Sequence, residues 1–154
     1  LRVSIFIAFF LKNKHWEQIM SDTRTALTAG KPWPAHYTYA PALRVGNTIW
    51  FSGTTGTDDN GVITAPGDIV EQTRQIYRKF EKILNSVGGS CEDIVSTHEF
   101  VITAENYKNT AAVRREFLKS ATPAAAGVFV AALIRKDALI EISAVAVLRE
   151  GTDD

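Results

Sequence analysis

The sequence predicts an α+β sandwich, a mixed sheet with two helices covering one face. Three observations carry that prediction. Two segments, after Asp68 and from about Glu105 to Lys119, repeat apolar residues at helical spacing. Short apolar runs rich in β-branched residues lie before, between and after them. The resulting order is strand, strand, helix, strand, helix, strand, strand, and a chain of 154 residues suits one domain with a real core.

The elements follow in turn. "VSIFIAFFL" (Val3 to Leu11) is an apolar run too short to span a bilayer. Residues 1–19 read as an upstream extension, with Met20 as the natural start. The alternative is an export signal, but no small-residue cleavage pattern follows the run. Residues 20–38 form an arm, irregular from 22 because Thr, Ala, Pro and Gly dominate it. "ALRVGNTIWFSG" sets apolar runs either side of Gly46-Asn47, a hairpin signal. Asn60-Gly61 marks a second turn, ahead of the short run "VIT". Asp68 with Glu71 three residues on reads as a capping box. Ile69, Ile76, Phe80, Ile83, Leu84 and Val87 then share a helical face, and Gly88-Gly89 ends the helix.

A strand is expected at 94–102, where His98 and Glu99 must face opposite sides and one of them must point inward. The second helix should bury Tyr107, Ala111, Phe117 and Leu118. "GVFVAALI", read as a buried strand, and "ALIEISAVAVL" close the domain, joined by "RKD". Residues 149–154 are a tail. In the last strand Ile140, Ile142, Ala144, Ala146 and Leu148 share one side, with Leu139, Val145 and Val147 opposite beside Glu141 and Ser143. Both faces are thus largely apolar, while helices can hide only one. The second face calls for burial by self-association in a closed symmetric oligomer.

Composition narrows the function classes. Seventeen basic and seventeen acidic side chains cancel, and no basic stripe is present, so neither nucleic acid nor an anionic membrane is an expected partner. Cys91 is the only cysteine, which rules out an internal disulfide and fits a reducing, cytoplasmic setting. Its place between a helix end and a strand suits a structural thiol. Dinucleotide, P-loop, nucleophile-elbow and H-E-x-x-H motifs are missing, and the three histidines are scattered, so no metal site is expected.

"LRVGNTIWFSGTTG", "GDIVEQTRQIYRKFEKILNSVGGSCEDIVSTHEFVI", the "TP" at 122–123 and "ALIEISAVAV" together resemble the Rid family (YjgF-like reactive intermediate deaminases, once described as endoribonucleases). The likeness covers roughly residues 37–148, with a Rid-like domain at 39–148. It implies a chorismate-mutase-like fold, a homotrimer with ligand clefts between subunits, and cofactor-free hydrolysis of a small imine or enamine substrate. The glutamate that positions water in such proteins matches Glu141. Flanked by Leu139, Ile140 and Ile142, its carboxylate should be partly desolvated, which suits general acid–base work. A glutamate at a wet subunit seam is the structural alternative.

The resemblance also marks Tyr39, Ser52, Gly53 and Thr54 as cleft residues, with backbone donors near Thr54 and Gly127. Read blandly, Ser52 to Thr54 are a polar strand end and Tyr39, with Trp33 and Tyr37, anchors the arm. In "ATPAAAGVFV" the place of the family's carboxylate-gripping arginine falls on Ala125, or on Ala126 when counted back from Glu141. Alanine cannot replace a bidentate clamp. An asparagine of the family's second helix is also lost, Ala111 standing at about its place. Two readings follow. One is a hydrolase with specificity shifted from 2-imino acids toward another imine, enamine or related amide; the other is a non-catalytic trimer that binds a small metabolite.

Overall fold

Asp68 starts the first helix as its side-chain Oδ1 accepts from the backbone N–H groups of Val70 and Glu71, both at 3.0 Å. In the computed structural model, which describes residues 24–149, this helix (α1) spans Ile69–Asn85. Glu71 does not close the expected box. Its carboxylate turns instead to Arg74 and Arg78. Ile69, Gln72, Thr73, Ile76, Tyr77, Phe80, Ile83 and Leu84 are buried, the i, i+3, i+4 stripe of a helix lying on a sheet. Beyond its end Gly88 adopts φ +78°, and the Gly89 N–H returns to the Leu84 carbonyl at 2.9 Å.

The sheet has six strands: β1 (Thr25–Leu27), β2 (Ala42–Val45), β3 (Thr48–Thr55), β4 (Ile94–Val101), β5 (Ala124–Phe129) and β6 (Ile140–Val147). Their spatial order is β1-β2-β3-β6-β4-β5, antiparallel throughout except that β4 and β5 run parallel. That one parallel pair needs a crossover, supplied by the second helix, α2 (Thr110–Leu118). The inner face carries Ile49 and Phe51 of β3, Ile94 and Val101 of β4, and Ile140, Ile142, Ala144 and Ala146 of β6, all buried. Phe51 meets Phe80 of α1 with ring centroids 4.6 Å apart, and Tyr77 stacks on Phe117 of α2 at 5.6 Å.

Both helices lie on that side, as expected, and the outer face stays open within the protomer. Trp50 and Val95 are each 45% exposed there, and Val145 and Val147 are half-buried.

Several expectations need correction. The arm contains a short strand, β1, because Leu27 has a buried slot beside Ala42. "VIT" contributes only an isolated bridge, Thr57 to Ile63. The second helix begins later than Glu105: Asn106 takes a left-handed φ of +57°, and a 3₁₀ turn at Tyr107–Asn109 leads into α2. Tyr107 and Ala111 are half-buried rather than core. β5 starts directly after Pro123, ends at Phe129, and every one of its residues is exposed. It is an edge strand with one neighbour, so its apolar run has nothing in the protomer to bury it. The readings of residues 1–19, the Met20 start and residues 150–154 lie outside the described residues.

Candidate active site

A β-bulge shapes the most informative part of the sheet. Between Phe51 and Thr54, β3 advances three residues while β6 advances two, from Ala144 to Ile142. The surplus sits at Ser52-Gly53. The Ser52 hydroxyl donates to the Ala40 carbonyl at 2.6 Å and its N–H to Pro41 at 3.0 Å, tying the arm to the strand. Gly53 leaves room for the carboxylate of Glu141. A Cβ built there would collide with Glu141 Oε1 and stand 3.0 Å from Cδ.

Tyr39, Ser52, Gly53, Thr55 and Glu141 thus line one cleft of about 730 Å³. Its other wall comes from residues 61–63 and from 134–137, in the loop between β5 and β6. Trp33 and Tyr37 do not line it. They brace Tyr39 from outside: the Trp33 indole N–H donates to the Tyr39 carbonyl at 2.7 Å, and the Tyr37 ring centroid lies 5.3 Å from that of Tyr39.

Gly53→Ala is expected to leave the fold intact, since the crowded atom ends a flexible side chain. Its melting curve should stay within a few degrees of wild type, while the Glu141 carboxylate is displaced from its seat over position 53.

Three expected site residues fall elsewhere. Thr54 pairs with Ile142, and its hydroxyl donates to the Ser52 carbonyl at 2.9 Å; Thr55 takes the place in the lining. Ala125 and Gly127 lie on β5, which β4 separates from β6, so neither shares a wall with Glu141 in one protomer. Residues 124–127 carry no charged side chain.

The structure also answers which of His98 and Glu99 turns inward. His98 is exposed on the outer face, and Glu99 is buried. Its carboxylate accepts from Arg114 Nη1 at 2.8 and 3.0 Å and from the Tyr107 hydroxyl at 2.7 Å. Burial and this carboxylate both push the Tyr107 phenol above its ordinary value. Gly127 is forced by the same cluster, for a Cβ there would stand 2.8 Å from the Tyr107 oxygen.

Behind the cleft, the Lys79 ammonium donates to the Thr55 carbonyl at 2.9 Å and to Thr57 Oγ1 at 2.5 Å. Burial depresses Lys79 to about 8, with Arg135 adding repulsion. An unfolded chain keeps this proton up to its ordinary value of 10.5. It therefore binds more protons than the folded chain between those values, and stability should rise as pH rises through that window. Lys79→Met should remove a rise on the order of 1–2 kcal/mol, solvent screening allowed for, in urea midpoints compared at pH 8 and 10.5. Cys91 is buried, and burial pushes its thiol up to about 12, in keeping with a structural role.

Sequence reasoning took "RKD" as a connector and so missed Arg135 and Lys136, which stand on the cleft wall. No cluster of three or more His, Cys, Asp or Glu side chains suited to a metal occurs among the described residues. Nor is any helix among them long and apolar enough to cross a membrane.

The family model described as endoribonuclease L-PSP matches residues 14–148. The chain belongs to this family. The L-PSP family is the YjgF/Rid family of the sequence resemblance, as its named relatives show. A RutC family protein of Sulfurisphaera tokodaii is 34% identical over 107 residues, covering 70% of this chain and 85% of its own. A 2-iminobutanoate/2-iminopropanoate deaminase of Dermatophagoides farinae is 30% identical over 131 residues, covering 84% and 99%. Among solved structures, a Mycobacterium tuberculosis member of the YjgF/YER057c/UK114 family aligns with a TM-score of 0.68 at 29% identity, covering 82% of this chain and 100% of its own. The mixed sheet with both helices on one face is therefore the L-PSP fold.

Proposed function

We propose that this chain is an imine deaminase-type hydrolase in which Glu141 directs the attacking water. The observation that carries the reading is the carboxylate lodged over Gly53, where the bulge opens β3 beside β6. A carboxylate there takes a proton from water as the oxygen attacks the imine carbon. It delivers that proton to the imine nitrogen, giving a carbinolamine. It then takes the hydroxyl proton and passes it to the same nitrogen as the C–N bond breaks, releasing ammonia and leaving a carbonyl. The 2-iminobutanoate/2-iminopropanoate deaminase name of a 30%-identical relative supports the reaction class.

The working unit is a homotrimer. In support, the outer sheet face and all of β5 are uncovered in the protomer, with Val128 50% and Phe129 65% exposed. A neighbouring copy that covers them would bring Ala125 and the Gly127 backbone to the open side of the Glu141 cleft. Specificity is shifted from 2-imino acids, because neither Ala125 nor Ala126 offers a cation to a carboxylate beside the imine carbon.

The test is ammonia release from freshly generated 2-aminoacrylate and from enamines without an adjacent carboxylate. Turnover of the second group above the uncatalysed rate is expected. Activity on 2-aminoacrylate equal to that of an arginine-bearing relative would refute the shift. Absence of turnover on every substrate would leave the binding-trimer reading, favoured by the same missing cation.

A further inference from the structure

The Glu141 cleft is not without a cation; it carries one on a different wall. Arg135 lies in the loop between β5 and β6, and its Nη1 donates to the Gly61 carbonyl at 2.7 Å. That single bond joins the two loops bordering the cleft and fixes the guanidinium at its rim. Gly61, at φ +79°, lets the carbonyl be presented there, and a Cβ on it would press Arg135 Nη1 at 3.2 Å. The hydrogen bond uses one nitrogen of a group with five N–H donors, and the side chain is otherwise exposed.

Among the described residues no carboxylate pairs with Arg135, so its free edge is open to an anion. Lys136 shares the cleft wall, and Arg135 is close enough to Lys79 to help depress its ammonium. The acids of the lining are Asp137 and Glu141, equal in number to Arg135 and Lys136, and neither forms an ion pair with Arg135 among the described residues. Nearby Asp59 is paired with Lys31. Arg135 and Glu141 occupy different walls, one pinned to the 58–63 loop and the other lying over β3.

We propose that Arg135 is the specificity-determining residue of this cleft, anchoring a carboxylate borne on the substrate away from the reacting carbon. The inference rests on the hydrolase reading for its reacting carbon, but the anion site itself does not require turnover. An anchored substrate would present its imine to Glu141 while its carboxylate takes the free edge of the guanidinium.

Binding separates the two claims. The probe is 4-oxopentanoate, a ketone whose carboxylate is remote from its carbonyl, titrated by calorimetry against the assembled protein. Pentan-2-one serves as the uncharged comparison. Arg135→Gln should weaken 4-oxopentanoate at least tenfold and leave the weak binding of pentan-2-one unchanged. Arg135→Lys should recover part of the loss, and Lys136→Gln should cost about threefold or less. Because Arg135 is exposed, its variants should melt with the wild type. Glu141→Gln should bind the probe normally, and a wild type that binds it through Arg135 yet turns over no imine or enamine would sink the hydrolase reading alone. The proposal is overturned if wild type fails to bind 4-oxopentanoate, or if Arg135→Gln binds it as tightly.

Discussion

Glu141→Gln should abolish ammonia release, lowering kcat by at least 100-fold while leaving the melting temperature within a few degrees of wild type. Gln has nearly the same shape, so it refills the space over Gly53 without reopening the packing of β3 on β6. What it lacks is a basic oxygen. A loss confined to kcat, with KM little changed, separates proton transfer from substrate binding. Retained turnover would move the chemistry to another group and reduce Glu141 to a seam residue.

Arg114→Met should be the most destabilising of the changes considered, costing about 3–5 kcal/mol in urea unfolding. The Glu99 side chain is 5% exposed, and Arg114 is the only cation paired with it among the described residues. Removing the guanidinium leaves a carboxylate held by the Tyr107 hydroxyl alone. The double variant Glu99→Gln with Arg114→Met should recover most of the loss, since no charge then stays buried. A single-variant cost below about 1 kcal/mol would mean that water reaches Glu99 and that the pair is not held dry.

How far these features were legible in the sequence depends on whether their cause is local. The α1 stripe and the alternation along β6 follow from periods that every turn or residue pair repeats, and both were readable. The cap at Asp68 was readable too, whereas Glu71 has two arginines within reach and chose them over the helix end. β5 was misjudged because an apolar run looks the same whether a helix or another copy covers it. The onset of α2 was misplaced because one residue, Asn106, enters the left-handed region and delays the helix.

The site was legible where it sits on strands. Gly53 and Glu141 belong to adjacent elements, and the resemblance marked both. Arg135 escaped notice because its role depends on a carbonyl 74 residues away, at Gly61. Glu99 had only its place opposite His98 as a signal, and the partners that bury it come from the 3₁₀ turn and α2.

The most direct test of the whole account is ammonia release per subunit, measured as the protein is diluted through dissociation while its molar mass is followed by light scattering. A cleft completed by a second copy predicts a trimer whose specific activity falls as monomer appears. Full activity in a monomer would contradict it.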